Sequence, residues 1–194
     1  GLMSMGAANV QAQNPTSGTA GPLTWKYDTD MRILTISGKG EMPNYDGEHP
    51  VPWQEHSQDI QKLVVKEGVT CIGNESFRNT RNLVSATFPK SLTRIGDEAF
   101  ASCLNLPMVT LPAGVTSIGD YAFSYCGNLA LATLPAGLQV IGRGAFNQCK
   151  KLSSVVIPAG VISIGDGAFA GCSSLPTITV ADGNTKYVAV DGVL

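Results

Sequence analysis

The stretch Leu111-Pro112-Ala113-Gly114-Val115-Thr116-Ser117-Ile118-Gly119-Asp120-Tyr121-Ala122-Phe123-Ser124-Tyr125-Cys126-Gly127-Asn128-Leu129 carries a pattern that returns every 23 residues from Gly68 to about Asn184. Isoleucine recurs at Ile72, Ile95, Ile118, Ile141 and Ile164, and phenylalanine at Phe77, Phe100, Phe123, Phe146 and Phe169. Leucine keeps the same step at Leu83, Leu106, Leu129, Leu152 and Leu175, and cysteine at Cys103, Cys126, Cys149 and Cys172. A unit this short cannot bury its own apolar face, so it must stack on copies of itself, and the period specifies a solenoid.

Each unit reads L-x-x-ø-x-ø-P-x-x, where ø is apolar, followed by V/L-x-x-I-G-D-x-A-F-x-x-C. The first half predicts a short strand with Leu106, Val109 and Leu111 inward and Met108 and Thr110 outward, because strand side chains alternate. Proline after the strand (Pro89, Pro112, Pro135, Pro158) ends the ladder, having no N–H to donate. Glycine at 114, 137 and 160 then suits a turn. In the second half Asn74, Asp97, Asp120 and Asp166 follow Ile-Gly and are expected to N-cap one or two helical turns; Arg143 replaces them once. Such a helix is far too short to persist without packing on its neighbours.

Outside the period the chain has three further zones. Residues 1–21 are expected to be an arm. Leu2-Met3-Ser4-Met5-Gly6-Ala7-Ala8 with Val10-Gln11-Ala12 has the character of an apolar signal-peptide core and small-x-Ala cleavage site, and equally of a short Ala/Gly-rich arm. On the first reading the mature protein starts near Gln13 and is exported; no cysteine follows the small residues, so a lipid anchor is not indicated. Residues 22–59 form a β-rich cap: Leu23–Tyr27 and Arg32–Ser37 alternate apolar and polar residues around a turn at Asp28–Met31, and a Gly/Pro/acid-rich loop from Gly38 to Pro52 ends in Trp53. The array itself spans 60–184, because Ile60, Leu63 and Val65 lie one period before Leu83, Ala86 and Phe88. It holds a half unit and five full units, hence six strands. Residues 185–194 are left as a C-terminal strand or edge segment.

Composition narrows the function classes. With 43% hydrophobic residues the chain can fill a continuous core, and a formal charge of −2 disfavours nucleic acid, which selects a basic stripe or patch. No run of eighteen apolar residues is present to span a membrane. The cysteine ladder does not suit zinc. Coils about 4.8 Å apart put Cys103 and Cys172 about 14 Å from each other, whereas zinc draws four ligands to about 2.3 Å. Stacked side chains also point the same way, which is poor geometry for a disulfide. Reduced core thiols are expected, with Cys71, outside the ladder, more exposed. His49 and His56 flank Trp53 among acids, but at no spacing of a known ligand motif, and are read as incidental to a polar loop. No catalytic constellation, metal site or cofactor is expected.

The repeat, with these residues in view, resembles that of BspA-like leucine-rich repeat proteins of bacterial surfaces (Bacteroides and Treponema type). Leu34–Met42 and Pro52-Trp53 resemble the entry module of such arrays, and Asn184-x-x-Tyr187 with Asp191–Leu194 an exit. Thr80 departs from the cysteine column and Ala181 from the proline column. The resemblance implies a leucine-rich repeat solenoid, with a parallel sheet of about six short strands opposite short helical turns. It also implies more sequence beyond Leu194, which would leave the C-terminal edge exposed here.

It implies too an exported adhesion or interaction module, binding a protein partner of a host or bacterial surface. The candidate binding face is the concave side of the strands, in two outward columns. One is Lys62, Ser85, Met108, Leu131, Ser154 and Thr177; the other is Val64, Thr87, Thr110, Thr133, Val156 and Thr179. Both are nearly uncharged with an apolar centre, a composition that exposed strands also favour for their own sake. Two alternatives stay open. One is glycan capture by exposed aromatics, with Trp53, Tyr45 and Tyr125 as candidates. The other is a structural spacer within a larger surface protein.

Overall fold

The computed structural model describes residues 14–188; the export signal expected on sequence and the last six residues fall outside them. The described residues open with three antiparallel strands, β1 (Ser17–Ala20), β2 (Leu23–Asp28) and β3 (Ile33–Gly38), and continue through β4 (Gly40–Glu41) and a 3-10 turn at Gln54–His56. The hairpin anticipated at Asp28–Met31 is present, its turn tied by the backbone N–H groups of Asp30 and Met31 donating to Asp28 Oδ1. β1 lies in residues assigned to the arm on sequence, and pairs with β2.

Two strand series then alternate along the chain. One is β5 (Lys62–Val65), β7 (Ser85–Thr87), β9 (Met108–Thr110), β11 (Leu131–Thr133), β13 (Val156–Ile157) and β15 (Thr179–Val180). The other is β6 (Val69–Ile72), β8 (Arg94–Ile95), β10 (Ser117–Ile118), β12 (Val140–Ile141) and β14 (Ser163–Ile164). The six strands of the first series are those expected from the repeat. The second series forms its own continuous parallel sheet, β4-β6-β8-β10-β12-β14, around the Ile-Gly column; the sequence reading did not foresee it.

The first series is interrupted. β1-β2-β3-β5-β7 are joined, β9 pairs with β11, and β13 with β15. Between β7 and β9 one bond is missing: Val84 N–H donates to Gln61 and Ala130 N–H to Pro107, but Pro107, at the same position of its own coil, has no N–H to offer Val84. Pro176 holds that position in the last coil, where β13 and β15 still pair, so the proline marks the break without being sufficient for it. Only a bridge between Leu131 and Ser154 joins β11 to the next coil.

The expected helical turns are absent; among the described residues the only helix is the 3-10 turn. Instead Ala-Phe-x-x-Cys is a run of tandem turns. Ala99, Ala101 and Cys103 N–H groups close onto Gly96, Glu98 and Phe100, while Glu98, Phe100 and Ser102 N–H groups donate at 2.8 Å to Asp120, Ala122 and Ser124 of the next coil. Left-handed backbone at Glu98 (φ 54°) and Ser102 (φ 59°) lets alternate N–H groups face the neighbour, which a right-handed helix forbids. The same two positions are Tyr121 and Tyr125 in the next coil, and in the last two coils glycine enters at Gly144, Gly167 and Gly171, all with positive φ.

The asparagine and aspartate column does not cap these turns either. Each side chain reaches across to the following coil: Asn44 Oδ1 accepts from Asn74 N–H, Asn74 from Asp97, Asp97 from Asp120 and Asp120 from Arg143, all at 2.8 Å. Arg143 has no oxygen to pass the ladder on to Asp166. The glycine before Asn74, Asp97, Asp120 and Arg143 is required by close approach. A Cβ at Gly119 would stand 2.5 Å from Asp97 Oδ1 and 2.6 Å from Asp97 N.

The core is a set of columns running the length of the stack. Trp53, Phe77, Phe100, Phe123, Phe146 and Phe169 stack face to face, with ring centroids 5.2 to 5.6 Å apart. The cap enters the same columns: β3 pairs in parallel with β5, and Trp53 begins the aromatic stack. It is a first, irregular coil of the solenoid rather than a separate lid.

Two outcomes follow. Gly119→Ala should lower stability by about 1–3 kcal/mol through overpacking, whereas Gly127→Ala, whose Cβ meets nothing within 4 Å, should stay within about 0.5 kcal/mol of wild type in chemical denaturation. Arg143→Asn, which supplies the missing acceptor, should raise the thermal midpoint, with a gain of about 0.5–1.5 kcal/mol.

Candidate functional site

The outward residues of the first strand series come together as two adjacent columns. Lys62 lies opposite Ser85 and Val64 opposite Thr87; Met108 lies opposite Leu131 and Thr110 opposite Thr133; Ser154 neighbours Leu131, and Val156 lies opposite Thr179. Thr177, two residues before β15, carries the first column into the last coil, and is exposed. Inward positions Val109, Ala132 and Val155 are buried, so the alternation read from sequence holds. The columns hold one charge, Lys62, at the cap end. Met108, Leu131 and Val156 are 55, 42 and 51% exposed, an apolar strip on a surface otherwise of threonine and serine.

The two interruptions of the ladder open clefts on this face. Val84, Phe88, Pro107 and Met108 line one of about 430 Å³ where β7 and β9 part. Leu131, Leu134, Val156, Pro158 and Ala181 line another of about 360 Å³ where β11 and β13 part. Neither was visible in the repeat pattern; Pro107 is a partial signal for the first, since Pro176 at the same position of the last coil does not part β13 from β15.

The cysteines have no part in a site. All five are unpaired and buried. Cys103, Cys126, Cys149 and Cys172 donate their S–H to the carbonyls of Phe77, Phe100, Phe123 and Phe146 in the preceding coil, at 3.1 to 3.2 Å. Burial pushes all four thiols up from their ordinary pKa. Cys71, expected to be more exposed than the ladder, is instead only 2% accessible, because β4 pairs over β6 and covers it.

The histidines do not meet at a common centre. His49 is exposed and held at 3.0 Å by Asp46. His56 is buried, stacks on Tyr27 at 4.4 Å, and donates from Nε2 to the Pro15 carbonyl at 2.6 Å, so it anchors the start of the chain to the cap and is not incidental. Trp53 is 1% exposed and Tyr45 half-buried, so neither offers a projecting aromatic platform to a sugar; of the three aromatic candidates only Tyr125, 55% exposed, projects from the surface. Among the described residues no group of three His, Cys, Asp or Glu could hold a metal ion, and no helix is long and apolar enough to cross a membrane.

Six copies of the BspA type leucine rich repeat region match residues 55–187. The chain belongs to this family. Its fold is similar to a leucine-rich repeat protein from Eubacterium ventriosum, with a TM-score of 0.74 and 28% identity over 90% of this chain and 46% of that one. It is similar also to the leucine rich repeat protein of T. pallidum (TM-score 0.67, 24% identity, 84% of this chain and 81% of that). A third likeness is a leucine rich cell surface protein from Faecalibacterium prausnitzii (TM-score 0.54, 25% identity, 93% and 58%). The chain thus spans about half the length of the first and third. No curated protein matches it at a significant level.

The thiol column makes a prediction about pH. A thiol whose folded pKa is raised keeps its proton after the unfolded chain has lost its own, so its contribution is fully present below about pH 8.5 and is lost as pH rises above that. Stability measured by denaturant titration should decline above about pH 8.5, and Cys126→Ala should flatten the slope by up to about 1.4 kcal/mol per pH unit.

Proposed function

We propose that this chain is a non-catalytic interaction module displayed outside the cell, and that it binds a protein partner of a host or bacterial surface through the outward columns of its first strand series. The observation that carries the reading is the exposed apolar group Met108, Leu131 and Val156, whose side chains border the two clefts opened by breaks in the ladder. Exposed apolar residues grouped in this way mark interaction surfaces on monomeric proteins, and clefts beside them admit the anchoring side chains that dominate binding energy. With a single charge in both columns, recognition is by shape and apolar contact rather than by steering. The face is preorganised by the coils beneath it, so little ordering entropy is lost on binding. Membership of the BspA-type family and likeness to a cell surface protein support the location.

The test is capture from host extracellular matrix and from bacterial envelope fractions, comparing wild type with Met108→Glu and Leu131→Arg. Both substitutions are on exposed side chains and should leave the fold intact. A partner held by this face should weaken by more than tenfold in each variant. Retention of every partner by both variants would leave the chain a spacer.

A further inference from the structure

On the tandem-turn side of the first coil, away from the strand columns, the cap leaves a third cleft, of about 450 Å³. Its origin is a mismatch in coil length. Asn44 bonds to Asn74, thirty residues on, where later coils step by 23. At Trp53 and Phe77 the step is already down to 24. Six surplus residues are therefore taken up between Asn44 and Trp53, and they stand out as the wall of the cleft.

That wall is built rather than loose. Asp46 Oδ1 accepts from the backbone N–H groups of Glu48 (2.9 Å) and His49 (2.7 Å), Asp46 N–H donates to His49 O (3.1 Å), and Tyr45 N–H is tied to Asn74 O (2.9 Å). The His49 backbone and ring donors hold the Asp46 carboxyl below its usual range, so it is ionised and acceptor-only at neutral pH.

The lining combines an apolar floor with planar polar groups. Tyr45 and Val51 supply the floor, Tyr45 resting edge-on against Trp53 at 5.8 Å. Asp46 and Glu75 supply carboxylates, Gln54 and Asn79 amides, and Arg78 a guanidinium already tied to Glu75 at 2.7 Å. With its one cation paired and two carboxylates present, the cleft does not favour an anion. Adjacent hydroxyls of a sugar ring both donate and accept, and planar carboxylates, amides and guanidinium satisfy them in pairs while the ring's C–H face rests on an apolar floor. The volume falls in the range of small-ligand pockets.

We infer that this cap cleft is a binding subsite for the terminal ring of a neutral glycan, separate from the strand-face site. Recognition is by polar groups converging around a shallow floor and not by an exposed aromatic platform.

The protein, tetramerised through biotin on streptavidin, is applied to a microarray bearing neutral, sialylated and sulfated glycans. Neutral glycans should be retained, and Gln54→Ala should lower their signal at least fivefold. Gly47→Leu should abolish it; Gly47 lines the cleft, and a Cβ there meets nothing within 4 Å, so the branch starts in open space and the variant's unchanged thermal midpoint is checked alongside. Leu131→Arg should leave the signal unchanged, which separates this subsite from the strand face. No retention of neutral glycans by folded wild type, retention of acidic glycans alone, or retention unaffected by Gln54→Ala and Gly47→Leu would each overturn the inference.

Discussion

Everything in this molecule depends on one constraint: each coil must present its backbone N–H groups and its side chains in register with the coil before it. Three separate ladders meet that demand. The parallel strands pair backbone to backbone, the tandem turns send alternate N–H groups across at 2.8 Å, and asparagine and aspartate oxygens bridge successive coils at the same distance. A buried N–H left without a partner costs more than a made bond contributes, so register is enforced at several points of the coil's circumference. Once register is fixed, like side chains stack on like. The phenylalanine column and the thiols donating to the preceding phenylalanine carbonyl are consequences of it.

The same constraint explains where surfaces for binding arise. A perfectly repeated coil would present a smooth wall. Departures from the repeat make recesses: the strand ladder parts at Pro107, which has no N–H to give, and again after β11, and the six surplus residues of the cap stand away from the first coil. Both recesses sit on a rigid frame, so their shape is set before any ligand arrives. Chemistry that looks suggestive in sequence, such as the cysteines and His56, turns out to be engaged in holding coils or cap together.

Much of this was legible in the sequence. The period, the six strands, the inward and outward alternation at Val109 and Met108, and the cap hairpin all rest on patterns that local stereochemistry fixes. The illegible parts share a cause. Ala-Phe-x-x-Cys reads as helix and Asp120 as an N-cap because sequence rules weigh bonds within a few residues, whereas here the competing partner lies 23 residues away. Cys71 was misplaced for the same reason: its cover, β4, comes from a cap strand thirty residues earlier.

The sequence by itself determined that the chain is a solenoid of 23-residue coils, which residues face the core, and that the face offered to solvent is nearly uncharged. Only the tertiary structure decided which neighbour each polar group serves. It turned the presumed caps and helices into ladders between coils, buried Trp53 and Cys71, and opened the clefts. The division follows from range. Periodicity records which way a side chain points, but hydrogen bonds between coils exist only once the stack has brought distant residues within 3 Å of each other.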